Sequence, residues 1–105
     1  HFYWGVRRPK DLYMNELAEQ WAREIPNFKY TPVISDAEPE DQWDGRIGFI
    51  HQAVAADYPN MSMHEVYACG APVVVRLAHE LYTTQHQLPE SSFYSDAFLS
   101  AKDKV

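Results

Sequence analysis

The chain is 105 residues long, the size of one small domain or of part of one. Hydrophobic residues make up 46% of it and aromatic residues 14%, which is enough for a core and unlike a disordered chain. Nine basic and fifteen acidic side chains give a net charge of −6, and the basic ones are scattered. Nucleic acid requires a concentrated positive face and an anionic membrane repels this charge, so the composition excludes both as partners.

The sequence contains no apolar run near the roughly 18 residues of a membrane helix, and no charged segment followed by an apolar one at its start. Its single cysteine, Cys69, cannot form an internal disulfide or complete a four-thiolate metal site within this chain. The five histidines lack the spacing of metal ligands, so no metal site is predicted. We therefore expect a soluble protein of the reducing cytoplasm.

The first third of the chain predicts a strand, a helix and a second strand. Residues 1–6 are aromatic and β-rich, as in a buried strand. Apolar residues recur at three- and four-residue intervals over residues 11–25, which predicts a helix. Residues 28–35 predict a second strand, shorter or at an edge because Pro32 cannot donate a ladder hydrogen bond.

The middle of the chain predicts a long acidic loop and a second helix. Residues 36–46 hold five of the fifteen acidic residues. Such a long loop is uncommon and often functional, although a solvated acidic segment is the simpler interpretation. The spacing of Ile47, Ile50 and Val54 predicts a narrow apolar face on the helix that follows.

The last third repeats the alternation. Residues 65–69 predict a strand that ends at Gly70, Pro72 begins a helix marked by apolar residues up to position 81, and residues 92–95 predict a final strand. The order β-α-β-α-β-α-β predicts an α/β fold with a parallel sheet flanked by helices. Three aromatic residues are expected in the core: Trp4, Trp21 and Tyr67.

In an open parallel sheet, ligands bind outside the carboxyl ends of the strands. Arginine pairs bidentately with phosphate or stacks on a base, so the arginines at these ends suggest a planar ligand that contains phosphate. The four glycines form neither GxGxxG nor GxxxxGK[ST], so no phosphate-binding glycine turn is present. The strand-end rule selects Gly5, Arg7, Arg8, Ser35, Asp36, Cys69, Gly70, Ala71, Pro72, Asp96 and Phe98.

Three motifs together resemble the NAD(P)-binding module of the ferredoxin–NADP reductase superfamily. The likeness covers nearly the whole chain, and it is closest to NAD(P)H-flavin reductases and to the reductases that serve CDP-6-deoxyhexulose dehydrases and aromatic hydroxylases. The motifs are Tyr3-Trp4-Gly5-Val6-Arg7, Tyr67-Ala68-Cys69-Gly70-Ala71-Pro72 and Phe93-Tyr94-Ser95-Asp96-Ala97-Phe98.

The resemblance implies a partial, Rossmann-type, ferredoxin-reductase-like domain. In that family a glycine-rich pyrophosphate turn precedes the motif that begins at Tyr3. Residues 1–105 are therefore expected to form a single, truncated NAD(P)-binding oxidoreductase domain, with an FAD-binding domain further upstream.

The resemblance also implies residue roles at the nicotinamide and flavin. Cys69 corresponds to the residue beside the nicotinamide carbon that releases hydride, and Asp96 to an acid near the flavin and nicotinamide. The segment Gly70, Ala71 and Pro72 shapes the turn along the dinucleotide. Phe98 corresponds to an aromatic that covers the flavin, with a core position as the alternative.

At the adenosine end, the resemblance places Arg7 near the ribose or its 2′-phosphate. Arg8 has the same role or is solvated, and Gly5 and Ser35 complete the expected cofactor contacts. The resemblance leaves open whether NADH or NADPH is preferred.

The parent enzyme implied by the resemblance takes hydride from NADH or NADPH to FAD. It passes electrons to a [2Fe–2S] centre in another domain, to free flavin or to a partner protein. The chain alone is expected to be inactive, and to self-associate through the edge strand Phe2–Val6. The alternative is a non-catalytic nucleotide-binding or protein-interaction domain of the same fold.

Overall fold

A computed structural model of the chain describes residues 1–97. The described residues form two compact units, one over His1–Val54 and the other beginning at Ala55. Each unit holds parallel strands together with helix, which confirms the α/β class. The assignment of residues 1–105 to one domain stays a prediction. No helix among residues 1–97 has the length and apolarity needed to span a bilayer.

The first unit is built on three parallel strands in the order β1-β2-β3. Two short 3₁₀ turns, Pro9–Asp11 and Pro39–Asp41, lie in its connections. Its elements are β1 (Phe2–Val6), α1 (Asn15–Glu24), β2 (Tyr30–Ile34), β3 (Arg46–Ile47) and the start of α2 (Ile50–Asp57).

Strand β2 forms the centre of the first unit. Its residues Val33 and Ile34 are fully buried, and α1 packs on it with Ala18 buried. Of the two alternatives predicted for this strand, the shorter length is confirmed by its five residues, and the edge position is wrong because β2 lies between β1 and β3. Pro32 is tolerated in this central strand because β3 pairs only with Val33 and Ile34, the two residues after it. The hydrogen bonds between β2 and β3 therefore do not need the backbone N–H that proline lacks.

The second unit contains a parallel pair of strands covered by one long helix. Strands β4 (Val66–Gly70) and β5 (Phe93–Ala97) are parallel, with residue 66 opposite residue 93. Helix α3 (Pro72–Gln85) packs on both strands. The buried hydrophobic residues of this unit are Ala55, Met61, Val75, Ala78, Tyr82 and Leu88.

Two further expectations are corrected. Ile47 lies in β3 and not on a helix, because α2 begins only at Ile50. Trp21 and Tyr67 are 40% and 73% exposed, so they are not core residues, and Trp4 is half-buried. Tyr67 is exposed because it lies on the face of its strand opposite α3, and residues alternate between faces along a strand.

Gly5 allows a close approach between β1 and the first residue of α2. A Cβ built on Gly5 would lie 2.7 Å from Cβ of Ile50, closer than two carbon atoms can pack. The absence of a side chain at position 5 is thus required by packing within the first unit.

We predict that Gly5→Ala lowers the free energy of unfolding by about 1–3 kcal/mol, because the new methyl group overpacks the contact with Ile50. Denaturant unfolding measures the loss. In a double-mutant cycle, Ile50→Gly removes the carbon that the methyl group meets and should make Gly5→Ala nearly neutral. Equal costs in the two backgrounds would contradict the steric explanation.

Candidate nucleotide site

The carboxyl ends of β1 and β2 remain joined beyond the last residues of the strands. The amide of Ser35 donates to the carbonyl of Val6 at 3.0 Å, and the amide of Asp36 donates to the carbonyl of Arg7 at 3.0 Å. Side chains add to this pairing, since Nη2 of Arg7 donates to Oδ2 of Asp36 at 2.9 Å. The backbone therefore fixes an arginine and an aspartate side by side at this edge.

The neighbouring Arg8 is held by two carboxylates. Its Nε and Nη2 donate to Oδ2 and Oδ1 of Asp41 at 2.8 and 2.9 Å, and its Nη1 donates to Glu38 at 3.2 Å. The hydrogen bond from Arg8, then that from the amide of Glu38, holds the pKa of Asp41 below its usual range. The hydrogen bond to Asp41, opposed by partial desolvation, raises the pKa of Arg8.

This pairing organises the acidic segment 36–46. The amide of Glu38 also donates to Asp41, at 2.9 Å, which closes the turn that begins at Pro39. The segment is therefore a folded connection held by Arg8 and not a structureless loop. The sequence signal is an acid three residues after Glu38 with a proline between them, as in a helix-capping box.

Trp43 and Arg46 complete the connection. The indole of Trp43 donates to the carbonyl of Arg46 at 3.0 Å, and a Cβ on Gly45 would lie 2.6 Å from the indole ring. The guanidinium of Arg46 donates to the carbonyl of Ala53 in α2 at 3.1 Å. The connection is thereby joined to both β3 and α2 within the first unit.

In the second unit, the predicted site residues meet at the carboxyl ends of β4 and β5. Cys69 and Asp96 are register partners, so both lie on the face of the strand pair that α3 does not cover, and both are exposed. Gly70 follows with a φ of +151°, which residues with side chains rarely adopt. The turn leads through Ala71 into α3, whose first residue is Pro72.

A stacked tyrosine pair lies on the same face, two residues before the predicted site. The rings of Tyr67 and Tyr94 are 4.8 Å apart and inclined by 14°. The hydroxyl of Tyr67 donates to Glu65 at 3.0 Å, which raises the pKa of Tyr67. This pair is not among the residues predicted for the site, although its two-residue spacing from Cys69 and Asp96 is visible in both strands.

The sequence-predicted residues thus fall into two groups, each described within its own unit. Phe98 lies outside the described residues. Among residues 1–97, no group of three or more His, Cys, Asp or Glu side chains comes together in a way that could hold a metal ion. The first group is Gly5, Arg7, Arg8 and Ser35, and the second is Cys69, Gly70, Ala71, Pro72 and Asp96.

Comparison with known proteins identifies the family. The model of the oxidoreductase NAD-binding domain matches residues 1–80. The chain belongs to this family. The resemblance inferred from the motifs is therefore confirmed.

Two of the similar proteins are reductases by name, and a third belongs to a phenol hydroxylase. The chain is 39% identical over 102 residues to the CDP-6-deoxy-L-threo-D-glycero-4-hexulose-3-dehydrase reductase of Yersinia pestis, covering 97% of this chain and 30% of that protein. It is 38% identical to the phenol hydroxylase P5 protein of Acinetobacter pittii, covering 98% and 29%. The solved cytochrome P450 reductase GcoB of Amycolatopsis is 29% identical with a TM-score of 0.80, covering 94% and 28%. The chain therefore spans less than a third of the length of these relatives.

We predict that Asp41→Asn loosens the acidic segment, because a neutral amide cannot replace the two-point ion pair with Arg8. The folded pKa of Asp41 lies below its ordinary value of 3.8. Its stabilising effect is therefore present above the ordinary value and is lost as the pH falls through the folded pKa.

The indole N–H of Trp43 reports on this segment by NMR during titration from about pH 6 to about pH 2.5. The unmodified protein should show an acid step below the ordinary pKa of Asp41, and Asp41→Asn should lack it. The matched control Asp44→Asn, in the same segment, should keep the step. An identical titration in all three proteins would refute the proposed ion-pair clamp.

Proposed function

We propose that this chain is the pyridine-nucleotide module of a flavin-dependent NAD(P)H oxidoreductase. The parent protein takes hydride from NADH or NADPH to FAD and passes the electrons to a [2Fe–2S] centre, to free flavin or to a partner protein. Family membership supports nucleotide binding, and the reductase components among the relatives support the redox role. We place the reaction in the cytoplasm, where a lone thiol stays reduced.

The observation that carries this proposal is the pairing of Cys69 with Asp96 beside the turn at Gly70. A thiol is small, so a flat nicotinamide ring can approach the strand end closely, and Asp96 offers a hydrogen-bond acceptor at the same level. The left-handed backbone at Gly70 exposes the start of α3 without a side chain in the way. In this role Cys69 positions the ring and forms no covalent bond.

The first unit supplies the contacts to the adenosine half. Arg7 is exposed, and the hydroxyl of Ser35 makes no hydrogen bond within the described part of the chain, so both can reach a ribose. Arg8 contributes indirectly, because its guanidinium holds the acidic segment through Asp41. Gly5 contributes the close packing of β1 on α2.

Bound FAD would supply the hydride acceptor, and its chemistry would allow electrons to pass singly to a [2Fe–2S] centre or directly to free flavin. The chain's share of a flavin site is the exposed face formed by Tyr67, Cys69, Tyr94 and Asp96, whose stacked rings and small thiol suit a flat aromatic group. Most flavin contacts belong to a domain outside residues 1–105. A [2Fe–2S] cluster does not fit this chain, which has one cysteine, and is assigned to another domain.

We predict that Cys69→Ala, in the full-length protein that contains this segment, slows hydride transfer to bound FAD by about 10- to 100-fold, because alanine lacks the sulfur atom against which the nicotinamide ring is positioned and a displacement of about 1 Å can cost this much. Stopped-flow absorbance of the flavin measures the step, and steady-state ferricyanide reduction with NADH and NADPH measures turnover. Residues 1–105 alone should show no turnover.

The control for Cys69→Ala is Thr84→Ala. Thr84 lies on α3, the helix that follows Cys69, about 18 Å from Pro72 at its start. In the described structure the hydroxyl of Thr84 donates a hydrogen bond to the carbonyl of Glu80 in the same helix. The Thr84→Ala variant should transfer hydride at the rate of the unmodified protein. If Cys69→Ala leaves the rate and nucleotide affinity unaltered, or if FAD does not bind the full-length protein, a non-catalytic binding or interaction domain replaces the reductase.

We further propose that residues 1–105, prepared alone, self-associate through β1. This strand is at the edge of its sheet in the described structure, and an edge strand presents unpaired backbone groups. Sedimentation velocity over a wide concentration range should show a rising mass. Tyr3→Lys places a charge on the edge and should reduce the rise, whereas Met63→Lys, on a residue outside the strands, should not. A constant monomer mass would contradict the proposal.

A further inference from the structure

We propose that the second unit carries a separate binding site for a small aromatic carboxylate, in the cleft between α3 and β5. The cleft has a volume of about 380 Å³, within the usual range for small-ligand sites. This site goes beyond the proposed nucleotide function and does not depend on it. The cleft is lined by Pro72, Val75, Arg76, His79, Glu90, Phe93 and Ser95.

The cleft and the proposed nicotinamide site lie on opposite faces of β5. Phe93 and Ser95 line the cleft together with residues of α3. Side chains alternate along a strand, so Tyr94 and Asp96 lie on the face that α3 does not cover. A ligand in the cleft therefore does not occupy the space in front of Cys69 and Asp96.

Arg76 supplies the positive charge that a carboxylate requires. It is an exposed residue of α3, and within residues 1–97 its guanidinium has no hydrogen-bond or ion-pair partner. Arg7 and Arg8, by contrast, are each paired with a carboxylate. A guanidinium binds a carboxylate through two parallel hydrogen bonds. Arg76 can therefore take up this group without breaking a contact in the described structure.

His79 and Glu90 hold the two walls of the cleft together. Nε2 of His79 and Oε2 of Glu90 are 2.7 Å apart, and this contact joins α3 to the turn that leads into β5. An ionised carboxylate only accepts hydrogen bonds, so Nε2 is the donor. The side chain of Glu90 is 73% exposed, which leaves its other oxygen atom accessible to a hydroxyl group of a ligand. Walls that are joined in advance lower the ordering cost of binding.

Apolar side chains form much of the remaining lining and favour a ligand with a flat apolar body. The ring of Phe93 packs edge-on against the imidazole of His79, with ring centroids 4.9 Å apart and an angle of 72° between the planes. Pro72 and Val75 add aliphatic carbon atoms. An aromatic ligand gains both burial of apolar surface and edge-to-face contacts from such a surface.

The spacing of the polar groups defines the length and direction of the ligand. Arg76 and His79 are three residues apart on α3, so they share a helix face and lie about 4.5 Å apart along its axis. The carboxylate of the ligand should contact Arg76, because beside His79 it would meet the negative charge of Glu90. A hydroxyl group across one ring from the carboxylate should then reach Glu90. The class of ligand that fits is a hydroxylated aromatic carboxylate.

The test follows binding of 4-hydroxybenzoate to the full-length protein that contains this segment, by two-dimensional NMR of backbone amides. The amide signals of Arg76, His79 and Ser95 should shift with a Kd of about 1–10 mM, the weak affinity of a small ligand in an open cleft. Benzoate lacks the hydroxyl group and should bind about 3- to 10-fold more weakly. The uncharged 4-hydroxybenzyl alcohol should bind at least about 10-fold more weakly.

Two variants of Arg76 and one matched control make the test specific. Arg76→Ala should weaken binding of 4-hydroxybenzoate by at least about 10-fold, and Arg76→Lys should weaken it less, because lysine keeps the charge without the two-point contact. Arg23→Ala removes the same charge from an exposed position on α1 and should change the Kd by no more than about 2-fold. Because Arg76 is exposed, Arg76→Ala should unfold at the temperature of the unmodified protein.

Three results would overturn this assignment. The first is the absence of shifts at Arg76, His79 and Ser95, and the second is equal weakening by Arg76→Ala and Arg23→Ala. The third is tight binding of the uncharged alcohol, which would show that no carboxylate is recognised. Saturating NAD⁺ should leave the Kd of 4-hydroxybenzoate unchanged, and displacement of the probe by NAD⁺ would show instead that it occupies the nucleotide site.

Discussion

The parallel pairing of β1 with β2 is the constraint on which the first unit depends. Its register places the fully buried Val33 opposite Gly5 and the fully buried Ile34 opposite Val6, so both faces of β2 are covered at its carboxyl end. The same ladder continues into the loops, where Asp36 bonds to Arg7. Core packing therefore determines which charged side chains meet at the strand ends.

These contacts change how the two adjacent arginines, Arg7 and Arg8, are interpreted. A pair of arginines after a strand is typical of an anion site, yet each guanidinium here has a carboxylate partner that comes from the segment after β2. Arg8 donates through three of its nitrogen atoms and is only 23% exposed, so its ion pairs serve the fold of the acidic segment. Arg7 stays exposed, which is why it, and not Arg8, is proposed to contact the ribose directly.

Four of the five described strands, the three helices and the strand-end residues could be predicted from the sequence because they depend on local periodicity, whereas β3 was missed. The pattern was insufficient where long-range contacts decide. Ile47 fits a helical spacing, but pairing with Ile34 draws it into β3. Tyr67 is apolar enough for a core, but side chains alternate between the two faces of β4, and Tyr67 lies with Cys69 on the exposed face. The partners of Arg8 are about 30 residues away, beyond any local signal.

The residues proposed for the two ends of the nucleotide lie on separate strand ladders. The charged side chains proposed for the adenosine end are fixed by the β1–β2 ladder, whereas the thiol and carboxylate proposed for the nicotinamide end are fixed by the register of β4 with β5. The two ladders belong to different compact units, and no residue is shared between them. A substitution that breaks the ion pair between Asp36 and Arg7 therefore leaves the register that pairs Cys69 with Asp96 unchanged. Substitutions in the two proposed groups of contacts should for this reason have nearly additive effects.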